Sequence, residues 1–137
     1  MSGLRLREAA ADDAAAIARL HAASWRESYR GIMGDDYLDG PVFAERLGHW
    51  RTKLSRPEAG QLVLLLEDTQ GLAGFIALGP DPQAIFDAYI DNLHVDPARK
   101  GRGHGRMLLG EAASRLDAAG QRTVYLWVFE ANEAALG

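Results

Sequence analysis

Leu4-Arg5-Leu6-Arg7 alternates apolar and basic residues, the period of a short half-buried strand. Asp12 or Asp13 then supplies a carboxylate that can accept backbone N–H bonds and suits the positive end of a helix dipole. Ile17, Leu20 and Ser24 fall on one face of the helix that follows, which is predicted to run to about Tyr29, where Gly31 and Gly34 break it. A second helical region is predicted over Leu38 to Leu54, its apolar stripe made by Phe43, Leu47 and Trp50 and its end set by Pro57 and Gly60. Leu62-Val63-Leu64-Leu65-Leu66 is a continuous apolar run, the mark of a strand covered on both faces. Asp68-Thr69-Gln70-Gly71 is a turn and Leu72 to Leu78 returns, so the two runs read as a hairpin. Ala88 to Val95 predicts a longer strand, Gly103 to Ala119 a helix with Leu109, Ala113 and Leu116 inward, and Gly120 its left-handed stop. Thr123 to Phe129, rich in β-branched and aromatic residues, predicts the last strand.

The order strand, helix, helix, three strands, helix, strand predicts a mixed α/β (α+β) fold with a mostly antiparallel sheet and one crossover. At 137 residues the chain fits one domain. Composition then removes function classes. Fifteen basic against nineteen acidic side chains give a net charge of −4, which argues against a duplex nucleic-acid partner, since such proteins present a strongly basic face. With no cysteine there is no disulfide, Cys-ligated metal or thiol nucleophile. His21 and His49 have no partner at metal-ligand spacing, so no metal is expected. No apolar run approaches the roughly 18 residues that span a bilayer, and the first ten residues lack an export pattern; a cytoplasmic protein without a membrane partner is the expectation.

The chemistry concentrates in Asp96-Pro97-Ala98-Arg99-Lys100-Gly101-Arg102-Gly103-His104-Gly105-Arg106. Three glycines at alternate positions sit among four cationic side chains, between a strand and a helix start. Glycines let backbone N–H groups form a concave nest and let a ligand come close. A helix N-terminus adds unpaired donors and partial positive charge, which together favour phosphate. Arg99, Lys100, Arg102 and Arg106 add charge-assisted bonds. A Walker loop is absent. A dinucleotide fingerprint would need glycine where Arg106 stands and an acid ending the next strand, where only Glu130 lies beyond it.

Leu93-His94-Val95-Asp96-Pro97 followed by Lys100-Gly101-Arg102-Gly103-His104-Gly105 resembles the acetyl-coenzyme A signature of the GNAT N-acetyltransferase superfamily, Gln/Arg-x-x-Gly-x-Gly/Ala, with Lys100 in the first position. Lysine keeps the charge and loses the bidentate fork. The likeness extends along the chain: Ser24-Trp25-Arg26-Glu27-Ser28-Tyr29-Arg30-Gly31 looks like the end of the family's first helix, and Leu126 to Asn132 like its fifth strand and the asparagine after it. The resemblance implies a single acyl-CoA N-acyltransferase domain over 1–137, with a fourth strand that splays from the fifth. The main chain of Leu93, His94 and Val95 would pair with pantetheine as a substitute strand. The diphosphate would rest on Lys100, Gly101, Arg102, Gly103, His104, Gly105 and Arg106, with Asn132 also on the cofactor side. Acetyl-CoA is the implied donor, and a primary amine of a small molecule, peptide or protein would attack it directly.

Direct attack needs a group to take the ammonium proton. Many relatives carry Glu on the fourth strand at the position of Tyr89. By the period of two, Tyr89 and Asp91 share one face and Asn92 and His94 the other; Asp91 is the first candidate base and His94 the second. Trp25, Tyr29, Tyr37 and Trp127 lie where relatives line the acceptor pocket. In relatives Asn132 opens a segment like Asn-x-x-Ala-x-x-Phe-Tyr, whose tyrosine protonates the leaving thiolate; here Ala135 is followed by the stop at Gly137, so the sequence reads as shortened, without the final helix, last strands and usual acid. An apolar edge at 123–129 would then be open, and proteins cover such edges, which predicts a homodimer through that strand. Two other readings stay open: a catalytically inactive coenzyme A-binding sensor or interaction module, favoured by Tyr89 and the absent tyrosine, and a dinucleotide-binding fragment.

Overall fold

The computed structural model describes residues 3–81, 83 and 87–120 in full, and the backbone of 124–126. Its elements, in chain order, are β1 (Arg5–Glu8), α1 (Ala14–Ser28), α2 (Asp35–Leu38), α3 (Pro41–Ser55), β2 (Leu62–Asp68), β3 (Gly71–Gly79), β4 (Ala88–Val95), α4 (His104–Ala118) and β5 (Val124–Leu126). The strands lie in the order β1-β2-β3-β4-β5 in one sheet. All neighbours are antiparallel except β4 and β5, which run parallel across the α4 connection. The mixed, largely antiparallel architecture read from the sequence is the observed one.

Alternation along β2 and β3 sends side chains into two cores. Leu64, Leu66, Ile76 and Leu78 pack with Leu108, Ala112 and Leu116 of α4. Val63, Leu65, Phe75 and Ala77 pack with Ile17, Ala18 and Leu20 of α1 and Trp50 of α3. The apolar run 62–66 is therefore buried on both faces, as its lack of alternation predicts. On α4 the inward residues are Leu108, Ala112 and Leu116; Leu109 is half-buried and Ala113 exposed. The expected face was thus rotated by about one residue, because His104 and Gly105 are themselves buried at the helix start and set its phase.

Two local expectations are corrected. Asp13 does not cap α1: its carboxylate accepts the Ala10 N–H at 2.7 Å and a bidentate pair of bonds from Arg7 at 2.7 and 2.8 Å, closing a 3₁₀ turn over Ala11–Asp13. The helical region expected over 38–54 is two helices, broken at Asp39 and Gly40. Pro41 occupies the first turn of α3, where its missing N–H costs nothing, and it disfavours helical geometry at the residue before it; Gly40 takes φ −131°, ψ −95°.

The β3–β4 ladder carries a bulge. Ala77 faces Asn92, but Leu78 faces Ile90, so Asp91 is the extra residue. A bulge resets the alternation on its strand. Asn92 and His94 lie on the α1/α3 side, opposite Ala77 and Phe75, and Tyr89, opposite Gly79, falls on that side too. The pairing of faces expected from a strict period of two does not hold across Asp91. Recorded β4–β5 pairing covers Ala88–Ile90 against Val124–Leu126; among the described residues, 91–95 have no β5 partner. The rest of the strand expected at 123–129, and the edge expected to pair with a second chain, lie outside the described residues.

β3 and β4 approach closely at Gly74, where a Cβ would stand 3.0 Å from the His94 carbonyl oxygen and 3.1 Å from Leu108 Cδ1. Both neighbours are held, one by the ladder and one by the core. Gly74→Ala should lower unfolding free energy by about 1–3 kcal/mol, the cost of overpacking, read from the urea midpoint at unchanged m-value.

Candidate functional site

The loop after β4 is built from its own sequence. Asp96 donates its backbone N–H to Ala73 at 2.8 Å, and its carboxylate accepts the Ala98 N–H at 3.0 Å, so the chain turns as soon as the strand ends. Arg99 then folds back. Its Nε and Nη2 donate to Asp68 at 2.5 and 2.9 Å, and its Nη1 donates to Asp96 and, at 3.4 Å, to the Leu72 carbonyl. The buried guanidinium clamps the loop to the β2–β3 turn and holds the Asp68 carboxyl down at about 2. This corrects the expectation that Arg99 faces a ligand: its donors are used inside the protein. Lys100 donates to Glu27 of α1 at 2.5 Å.

Beyond that clamp the backbone opens. Gly101 and Gly103 take φ +81° and +79°, and a Cβ at either would meet nothing within 4 Å. The first backbone bond across the helix entry runs from Met107 N–H to the Gly103 carbonyl at 3.0 Å, which leaves the N–H groups of Gly103, His104, Gly105 and Arg106 without a partner inside the helix. The His104 side chain is buried, so this residue offers its backbone to the loop. Arg102 and Arg106 are exposed, and neither has an ion-pair partner among the described residues. Open donors, a helix dipole and two cations make a cradle with the polarity to accept an anion. Leu93, His94 and Val95 of β4 lead into it, and alternate residues of an antiparallel edge turn both N–H and C=O away from the paired neighbour. The resemblance thus singled out residues that the fold brings to one place: Leu93 to Val95 and Gly101 to Arg106 are contiguous at the same end of the sheet. Asn132 and Trp127 lie outside the described residues.

Below β4 lies a buried aromatic and imidazole cluster that the sequence did not reveal. The Ser24 hydroxyl of α1 lies 2.8 Å from His94 Nδ1, and His94 Nε2 lies 3.3 Å from Asn92 Oδ1. An amide oxygen only accepts, so the His94 proton sits on Nε2 and Nδ1 accepts from Ser24. The His21 ring lies tilted against His94, with ring centres 4.6 Å apart, and accepts from Trp50 Nε1 at 3.0 Å. Burial, and then the Lys100 charge, pulls the His94 pKa down to about 4; burial, and then His94, Arg46 and His49, pulls His21 down to about 2. Both rings are neutral at pH 7.

Asp91 stands at the bulge, exposed, its Oδ2 accepting from Lys53 Nζ of α3 at 3.2 Å. Trp25 packs edge-on against His21 and Tyr29, and the Arg46 guanidinium lies 4.8 Å from a ring centre of Trp25. Tyr29 is buried. Tyr37 is turned to α3, donating to Glu45, which pushes its pKa up. Trp25 and Tyr29 therefore stand together beside β4, whereas the Tyr37 hydroxyl is taken.

Residues 15–137 match the model of the acetyltransferase (GNAT) family. The chain belongs to this family. Over 134 residues it is 31% identical to the uncharacterized N-acetyltransferase YuaI of Bacillus subtilis, covering 96% of this chain and 75% of YuaI. Among solved structures, the PaiA N-acetyltransferase of Thermoplasma acidophilum in complex with coenzyme A superimposes with a TM-score of 0.78 at 21% identity, over 93% of this chain and 80% of that one. A predicted acetyltransferase of Clostridium acetobutylicum with acetyl-CoA gives 0.70 at 14%, over 96% and 85%. These two share the fold. The GNAT resemblance and fold class read from the sequence hold. Among the described residues no helix is long and apolar enough to cross a membrane.

The neutral histidines carry a pH signature. An unfolded chain protonates each near ~6.5, while the folded chain keeps them neutral until about 4 for His94 and about 2 for His21. The unfolded state therefore binds more protons over that window, and stability falls as pH drops below ~6.5. His94→Gln should flatten the dependence between ~6 and ~4.5 by about one proton, or ~1.4 kcal/mol per pH unit, measured by urea melts across pH.

Proposed function

We propose that this GNAT protein transfers the acetyl group of acetyl-CoA to a primary amine by direct attack. The observation that carries the reading is the open cradle of Gly101 to Arg106 at the end of a strand whose outer edge, from Asp91 to Val95, has no partner among the described residues. The cradle matches a diphosphate in charge and donor count, and the bare edge suits the amides of a pantetheine arm. Bound there, acetyl-CoA supplies an activated acyl group. The protein's part is to hold that donor by the Gly103–Arg106 N–H groups, Arg102 and Arg106, and to present its thioester end near the β4 bulge.

At the bulge Asp91 is the base. One carboxylate oxygen takes the Lys53 ammonium, and the other has no hydrogen-bond partner among the described residues. An anchored carboxylate with a free oxygen can take the ammonium proton directly or through one water. His94 is a poor second candidate: its Nδ1 lone pair accepts from Ser24 and its Nε2 carries the proton given to Asn92. His94 instead fixes Ser24 and Asn92 beneath the cleft. The side beside it, with half-buried Trp25 backed by buried Tyr29, is the acceptor side.

Gly103→Glu should abolish acetyl-CoA binding, more than 100-fold weaker in calorimetry, because it fills the cradle, strains a left-handed backbone and sets negative charge against phosphate; affinity equal to wild type would remove the site from consideration. Asp91→Asn should lower kcat for thiol release by roughly 100-fold, in the range of a lost general base, with acetyl-CoA affinity unchanged. Binding of acetyl-CoA with no thiol release on any amine would favour the inactive sensor instead.

A further inference from the structure

Arg46, His49, Trp50 and Lys53 recur at the spacing of one face of α3. Trp50 is buried in the core, and His49 and Lys53 flank it. Lys53 is engaged with Asp91. Arg46 is not engaged with any anion among the described residues. Its guanidinium rests against the Trp25 ring at 4.8 Å, its Nε is out of solvent, and that Nε has no hydrogen-bond acceptor among the described residues. Glu45, its sequence neighbour, is turned to Tyr37. The Nη groups are the side open to solvent, and a half-buried guanidinium is stabilised when an anion meets them; its planar fork suits a carboxylate or phosphate.

The place of Arg46 says what that anion belongs to. Trp25 carries Arg46 on one side and packs against His21, which lies against His94 of β4. Farther along the same face of α3, Lys53 reaches the bulge where Asp91 stands. His49 between them feels Arg46, Lys53 and Asp91 at once. The charged side chains facing this stretch are thus Arg46 and Lys53 against Asp91. Asp91 is already neutralised by Lys53, so the surplus charge of the acceptor side is the Arg46 guanidinium.

We propose that the acceptor is a primary amine that also bears an anionic group, a carboxylate or a phosphate, and that Arg46 binds that group. This rests on the acetyl-transfer reading above. Arg46 and Trp25 hold the anionic end and Asp91 receives the amine. A polycationic amine is disfavoured at such a wall, because it would set positive charge against an uncompensated guanidinium.

The test measures thiol release by the intact chain with acetyl-CoA and matched acceptors: the standard amino acids, their carboxamides, O-phosphoethanolamine, ethanolamine and spermidine. At least one anionic acceptor should show kcat/KM more than 10-fold above its uncharged counterpart, the amino-acid and phosphate arms deciding which anion is bound. Arg46→Gln should raise KM for that acceptor at least 10-fold, with kcat within about threefold and acetyl-CoA affinity in calorimetry unchanged. Arg46→Lys, which keeps the charge and the fold, should recover part of the loss. Preference for spermidine, equal use of amides and acids, no turnover of any acceptor despite acetyl-CoA binding, or a KM indifferent to Arg46→Gln would each overturn the proposal while leaving the cofactor cradle standing. Failure of the wild-type chain to bind acetyl-CoA would instead sink the reading beneath it, and the proposal with it.

Discussion

The site hangs on the Arg99 guanidinium. A glycine-rich loop with two left-handed residues has no rigidity of its own, since glycine has more backbone freedom to lose than any other residue. Arg99 supplies it by joining the β2–β3 turn, through Asp68 and Leu72, to the start of the loop, through Asp96. α4 begins soon after, at His104, so the open N–H groups are fixed relative to the sheet by a short span of chain. Lysine could not do the same, having no planar fork to reach two carboxylates and a carbonyl together. The loop's cations thus divide by role, with Arg99 ordering the backbone, Lys100 tying it to α1, and Arg102 and Arg106 left at the surface.

Much of the fold was legible because its signals are local. Leu62 to Leu66 shows no alternation, and a strand buried on both faces has none to show. Gly103 and Gly120 mark the two ends of α4, where left-handed geometry is needed, at φ +79° and +81°. The cradle could be read because glycines, cations and a helix start coincide within one segment. What was missed depends on contacts distant in sequence. Nothing near Arg99 tells that Asp68, thirty-one residues earlier, will take its charge. Nor does Asp91 reveal itself as a bulge, because the extra residue exists only relative to β3. That one insertion brings Tyr89, Asn92 and His94 onto a common side, so a strict period assigned the side chains near the proposed reaction centre wrongly. Gly40-Pro41 was a readable signal for the break between α2 and α3, overshadowed by the apolar stripe on either side.

The histidine cluster follows a different logic. Ser24 lies one residue before a tryptophan in a segment recognised by resemblance, yet its hydroxyl is used inward, on His94. His94 in turn is neutral because it is buried, and it is tolerated there because both ring nitrogens have partners. Its contribution is rigidity under the strand that borders the cleft. His21, packed against it, extends the same neutral layer to Trp50 and Trp25, so α1, α3 and β4 meet here through rings, while the Lys53–Asp91 ion pair joins α3 to β4 at the bulge.

The parallel pairing of β4 with β5 also dictates how the chain must connect them, by a crossover that carries α4. Four strands and three helices precede α4 in the chain, and the four strands form an antiparallel ladder of their own. β5 must await a whole helix before it can meet β4, although the span from Glu8 to Leu62 that joins β1 to β2 is the longer closure. Gly101 to Arg106 lie within that crossover, so the segment that joins β4 to β5 is also the one that carries the open N–H groups.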